Sequence, residues 1–128
     1  MRERMESAEE SGSEVVSHAL VQVLVLILVS ALLQLGFVLY TRNVAVDAAS
    51  EGARYYSLQG ASLERTYARI EALLSGGLGT GERQILITER KVADRVQVVV
   101  QVSTDLPILG PWGVPRALTV EASVWRLP

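Results

Sequence analysis

The first eighteen residues, Met1 to His18, are polar and show no periodic apolar face; Arg2 and Arg4 stand among Glu3, Glu6, Glu9, Glu10 and Glu14. Such a stretch predicts a tail without a fixed fold. The pattern then reverses, and from Ala19 to Tyr40 fifteen side chains are Leu, Ile, Val or Phe, with no fully charged residue between Glu14 and Arg42. That run predicts a membrane-crossing helix about 33 Å long, against a hydrocarbon core of about 30 Å. At about −0.3 to −0.6 kcal/mol per large apolar residue, gross insertion is favoured by about 5 to 9 kcal/mol, which Gln22, Ser30 and Gln34 reduce without reversing. A cleavable secretory signal competes for the same residues, since Val46-Asp47-Ala48 loosely fits a small-x-small cleavage pattern. Signal sequences have a shorter apolar region behind a basic segment, whereas this run is long and follows an acidic tail, so the helix is expected in the mature chain.

Beyond Tyr40 the helical spacing continues with smaller residues. Val44, Ala45, Ala48, Ala49, Gly52, Ala53 and Tyr56 recur every three to four positions with Asp47, Glu51 and Arg54 between them, and Gln59-Gly60 supplies a stop. Ser62 is placed to cap a second helical stretch carrying Leu63, Tyr67, Ile70 and Leu74 as far as Gly76. The glycines at 76, 77, 79 and 81 predict a loop, and no Lys-Ser or Lys-Thr follows them as a phosphate-binding loop would require. Val96, Val98, Val100 and Val102 alternate with Gln97, Val99, Gln101 and Ser103, which is the period of a strand with one buried face. Gln84 to Glu89 is its hairpin partner across a charged turn, Arg90 to Asp94. Leu118, Val120, Ala122 and Val124 form a third strand after a proline- and glycine-rich connection, Asp105 to Arg116, that carries Trp112. The expected fold is α+β: a long amino-terminal helix, a second helical stretch and a small three-stranded antiparallel sheet. Its three regions are a tail (1–18), a membrane helix (19–40) and an α+β domain outside the membrane (41–128). About 65 residues past Gly60 bury only a modest core, so packing on the outer part of the long helix is expected to complete it.

Composition narrows the chemistry. A net charge of −2 argues against a nucleic-acid partner, and one histidine with no cysteine leaves no catalytic dyad, thiolate metal site or disulfide framework. No cofactor is expected, and no enzyme. Charge does not decide the orientation, because Arg2 and Arg4 on one side of the apolar run are balanced by Arg42 and Arg54 on the other. Gln22, Ser30 and Gln34 fall within about 120° around the helix, a shared face suited to hydrogen bonding with other transmembrane helices. Glu51 and Arg54, three apart, suit either a surface ion pair or docking of a partner subunit. His18 is expected to be an interfacial residue, and the pattern assigns no place to Trp112 or Trp125.

Three features resemble the TadE-like family, small pilin-related proteins of tight-adherence (type IVc) pilus systems. A short charged tail ends in Gly12-Ser13, an apolar helix leaves the membrane through Leu39-Tyr40-Thr41-Arg42-Asn43, and Ala48-Ala49-Ser50-Glu51-Gly52-Ala53-Arg54-Tyr55 follows. This last block is similar to the family's Ala-Ala-x-Glu-Gly-Ala-Arg-Tyr signature. The resemblance implies a minor pilin or pseudopilin of the bacterial inner membrane, amino terminus in the cytoplasm and carboxy-terminal domain outside. It further implies processing by a prepilin peptidase between Gly12 and Ser13, docking of other pilin-like subunits or assembly proteins through Glu51, Gly52, Ala53, Arg54 and Tyr55, and a role in the assembly or initiation of a secreted filament, whether the chain enters it or only starts it. Where the family pattern places a glutamate followed by an aromatic, five and six positions after the processed glycine, this chain has Ser17 and His18. The alternative reading is a single-pass membrane adaptor whose external domain recruits or regulates a larger complex.

Overall fold

The computed structural model describes residues 1–58, 60–106 and 114–126. Their order is α1 (Arg2–Ser57), α2 (Leu63–Leu78), β1 (Gln84–Val92), β2 (Arg95–Leu106) and β3 (Val114–Trp125). The three strands form one antiparallel sheet in the order β1-β2-β3, so the fold is α+β, as the residue pattern predicts. The chain divides into two compact units, Met1–Leu35 and Gly36–Pro128.

The first unit is helical from Arg2 onwards, which corrects the expectation of an irregular tail. Arg, Glu, Met and Ala are good helix formers, and once the apolar helix has formed, extending it backwards adds one hydrogen bond per residue fixed without a new nucleus. Ser7 and Ser11 donate their hydroxyls to the carbonyls of Arg4 and Ala8. No residue of the most apolar window is buried, and Leu20, Leu24, Ile27 and Leu28 all lie more than half exposed. The core helix of a soluble domain hides such side chains; this one fits a single-pass membrane protein, with lipid as the surrounding medium.

The second unit is built on the outer part of α1. Thr41, Ala45, Ala48, Ala49, Gly52, Ala53 and Ser57 are its buried residues, a narrow face of small side chains. Gly60, with φ +80°, breaks the chain between the helices, and Ser62 caps α2 by accepting a hydrogen bond from the Arg65 amide on its hydroxyl. Ile70 and Leu74 are fully buried as the helical spacing predicts. Thr66 joins them, its hydroxyl bonded to the Ser62 carbonyl, while Leu63 is exposed.

The glycine-rich loop begins later than its composition predicts, because α2 runs through Gly76 and Gly77 to Leu78. A Cβ on Gly77 would lie 2.5 Å from Cγ1 of Val44, so glycine there lets the end of α2 touch α1. Gly79, with φ +75°, then ends the helix by bonding its amide to the Ser75 carbonyl. Nη2 of Arg83 donates to the Gly79 carbonyl. Its Nη1 is buried with no hydrogen-bond partner among the described residues, 3.8 Å from the Glu71 carboxylate, which compensates its charge.

The strands are longer than expected. Val92 pairs with Arg95, which confines the β1–β2 turn to Ala93-Asp94 and brings Arg90 and Lys91 into β1. Ala93 adopts φ +53°, a left-handed geometry that two-residue hairpin turns demand and glycine or asparagine usually meets. Val98, Val100 and Val102 are fully buried, with Val120 of β3 beside them, and together with Ala45, Ala48, Ala49, Ala53, Ile70 and Leu74 they make the core. At about 1.5 to 3 kcal/mol per fully buried aliphatic side chain, the β2 valines are its largest contribution from the sheet. Val99, on the opposite face, is also buried, between its register partners Thr88 and Ser123. The expected connection from Asp105 to Arg116 contracts at both ends: a register shift between Thr104 and Leu106 carries β2 to Leu106, and β3 starts at Val114. Pro115 is tolerated because β3 is an edge strand. Trp112 lies outside the described residues, and Trp125 is 44% exposed at the end of β3.

Candidate functional site

The block Ala48 to Tyr55 occupies two turns of α1 opposite α2, and its residues divide by direction. Ala48, Ala49, Gly52 and Ala53 are buried, the three alanines at most 1% exposed. An added Cβ on Gly52 would meet Cδ1 of Ile70 at 2.4 Å and Cγ1 at 2.5 Å. Because Ile70 is itself fully buried, it has little room to give way, so glycine at 52 is a requirement of the helix-to-helix approach.

The polar members of the block face the edge of that contact. Glu51 does not pair with Arg54 three residues on. Its carboxylate instead accepts two hydrogen bonds from Arg69 of α2, from Nε at 3.1 Å and Nη2 at 2.6 Å. The side chains are 50% and 40% exposed for Arg69 and Glu51, so the pair contributes about 1 kcal/mol or less, and its two-pronged geometry chiefly fixes how α2 lies along α1. The Arg69 guanidinium also stacks over the Tyr55 ring, 5.2 Å from its centre. Next along the helix, Tyr56 is covered by Arg126, 5.5 Å from the ring centre, and Arg126 pairs in turn with Glu89 of β1. At the other end of the contact the Tyr40 hydroxyl donates to the Gly77 carbonyl at 2.8 Å.

Between the two helices runs a surface groove of about 660 Å³, lined among others by Val44, Asp47, Glu51, Arg54, Arg69 and Leu73. The structure thus brings Glu51, Gly52, Ala53 and Tyr55 into one intramolecular contact and leaves Arg54 exposed beside it. The part of Arg69 was not visible in the sequence; a basic residue one helix away, eighteen positions on, gives no periodic signal. Gln22, Ser30 and Gln34 lie in the first unit, Gln22 and Ser30 exposed and Gln34 half-buried. Gly12 and Ser13 lie in the exposed amino-terminal part of α1, where a Cβ on Gly12 would meet nothing within 4 Å.

An apolar helix that buries nothing within the chain, followed by an α+β unit packed on a small-residue helical face, fits a single-pass membrane protein. The model of the TadE-like protein family matches residues 18–54, which covers the apolar run and the Ala48–Arg54 part of the signature and bears out the resemblance read from those residues. The family is a structural one associated with pilus assembly. No curated protein and no solved structure matches the chain.

If Gly52 is a packing requirement, Gly52→Ala in the detergent-solubilised chain lowers stability by about 1 to 3 kcal/mol, the usual cost of overpacking. Combining it with Ile70→Ala costs less than the sum of the two single changes. Equal stability of wild type and Gly52→Ala in chemical unfolding contradicts this role.

Proposed function

We propose that the protein is a minor pilin or pseudopilin: a membrane-anchored, non-enzymatic structural component of a TadE-type pilus assembly or secretion system. The observation that carries this reading is the coincidence of the family match over residues 18–54 with a helix whose apolar window is entirely unburied. In this reading the amino terminus lies in the cytoplasm, the helix crosses the inner membrane once over residues 19–40, and the α+β domain from residue 41 onwards works outside. Its partners are other pilin-like subunits and assembly proteins, met through the exposed edge of the Ala48–Tyr55 block and through the polar face of the membrane helix. No nucleic acid, metal or cofactor takes part.

A prepilin peptidase cuts between Gly12 and Ser13. Ser11-Gly12-Ser13 joins three residues of low helix propensity within the exposed amino-terminal helix, so opening the backbone there costs least, and Gly12 contacts nothing that would hold it shut. The cut removes Arg2, Arg4 and four of the five glutamates of the tail, leaving a new amino group next to Glu14, where opposite charges partly compensate. Mass spectrometry of the chain from membranes that contain the peptidase is expected to find an amino terminus at Ser13. Gly12→Leu is expected to abolish the cut. An intact Met1 terminus in both proteins removes the processing step and favours a membrane adaptor.

Gln22, Ser30 and Gln34 hydrogen-bond to partner helices, each contributing about 0.6 to 2 kcal/mol. Replacing Gln22 and Gln34 together by Leu leaves insertion intact and weakens co-purification of partner subunits by about an order of magnitude or more. Undiminished co-purification assigns the partner contact elsewhere.

A further inference from the structure

The end of the sheet beside Tyr56 is basic. β1 and β2 turn there through Ala93-Asp94, and Arg126 joins this end to the outer part of α1 by covering Tyr56 and pairing with Glu89. Tyr56 lies sixteen residues, about 24 Å of helix, beyond Tyr40. Arg90, Lys91 and Arg95 are all exposed, and none of their side chains has a hydrogen bond or ion pair among the described residues. With Glu89 held by Arg126, Asp94 is the one carboxylate in the turn set against them, in a chain whose net charge is −2. Charged side chains on an edge strand deter pairing with other chains, but that role asks nothing of β3 on the far side of β2. There Trp125 stands 44% exposed. Val98, Val100 and Val102 lie in the core, so Gln97 belongs to the opposite face, and its register partners on either side are Arg90 and Trp125. Guanidinium, amide and indole thus form one row across the outer face, about 10 Å long at the usual strand spacing, with Arg95 beside it on the same face. Nε2 of Gln97 donates to Oγ of Ser123 at 3.0 Å, leaving the amide oxygen as an acceptor.

We propose that this row binds an acidic polysaccharide, one whose sugar rings carry carboxylates. A sugar ring presents C–H bonds on its flat side, and the face of an indole is the negative side of its quadrupole, so the two stack. A carboxylate further along the same polymer meets Arg90 as a two-pronged acceptor, Arg95 and Lys91 add attraction, and a hydroxyl between the two ends donates to Gln97. Other anionic surfaces fit less well. Headgroups of the membrane that anchors the chain lie towards the opposite end of the α+β unit, where Tyr40 bonds to Gly77. Nucleic-acid binding draws on about six to ten phosphate contacts along a basic stripe, against three cations here in an acidic chain. The inference adds a ligand to the structural-component reading and depends on it only for access to the outside.

Retention of the full-length chain, in a neutral detergent, on immobilised polygalacturonate tests this. Binding is expected there, weakening as salt is raised, with none on neutral dextran. Trp125→Ala lowers the affinity by about three- to tenfold, and Trp125→Phe keeps most of it, since stacking needs a ring. Arg90→Gln together with Arg95→Gln lowers it by a similar factor of about three to ten and flattens the salt dependence. Both arginines are exposed and unpaired, so their replacement leaves the fold intact and keeps the test decisive even where Trp125→Ala unfolds. No retention of the wild-type chain overturns the site. Retention indifferent to either set of changes, or equal retention on duplex DNA, overturns it as well, because a bare cluster of cations then suffices. Binding by the purified chain needs neither partner subunits nor a particular orientation in the membrane. Its failure therefore leaves the structural-component reading standing, whereas loss of partner co-purification falls on that reading alone.

Discussion

The close approach of α2 to the small-residue face of α1 is the constraint on which the α+β unit depends. Ile70 occupies the space that a side chain on residue 52 would fill, and the Gly77 backbone lies against Val44. With alanines at 45, 48, 49 and 53 the rest of that face is equally shallow, and Ile70, Leu74 and the valines of β2 pack with it into one core. Polar contacts then fix direction where packing fixes distance: Tyr40 bonds to Gly77 at one end of the helix pair, Glu51 to Arg69 in the middle, and Arg126 bridges Tyr56 and Glu89 at the other.

This division explains the composition of the segment that matches the TadE-like family. Its first half is apolar on every side and buries nothing within the chain, which suits lipid. Its second half is apolar on one narrow face, made of the smallest residues, because that face receives another helix of the same molecule. Much of the signature is thereby accounted for by internal packing: Gly52 and Ala53 by their lack of bulk, Glu51 and Tyr55 by their shared contact with Arg69. Outside that packing lies the outward edge, where Asp47 and Arg54 stand exposed.

The sequence made most of the fold legible, since period two and period 3.6 are local signals. The β2 valines, the α1 small face, the Ser62 cap and the break at Gly60 all follow from neighbours within a few positions. The misreadings share a cause, a contact with a distant part of the chain or a cooperative effect that no local window holds. Gly76 and Gly77 suggest a loop, yet α2 continues through them, and the glycine at 77 answers to Val44, over thirty residues earlier, which leaves no space there for a side chain. Glu51 offered Arg54 as its obvious partner and took Arg69 across the helix pair. The acidic tail lacks a stable fold by composition and is helical because it continues a helix already formed.

The central claim is that one helix carries the chain across a single membrane and presents the α+β unit on the far side from its amino terminus. Paired reporter fusions test it most directly, using an enzyme that is active only outside the cytoplasm. Activity is expected when the reporter follows Pro128 and none when it precedes Met1. The reverse pattern, or activity released in soluble form as from a cleaved secretory signal, contradicts it.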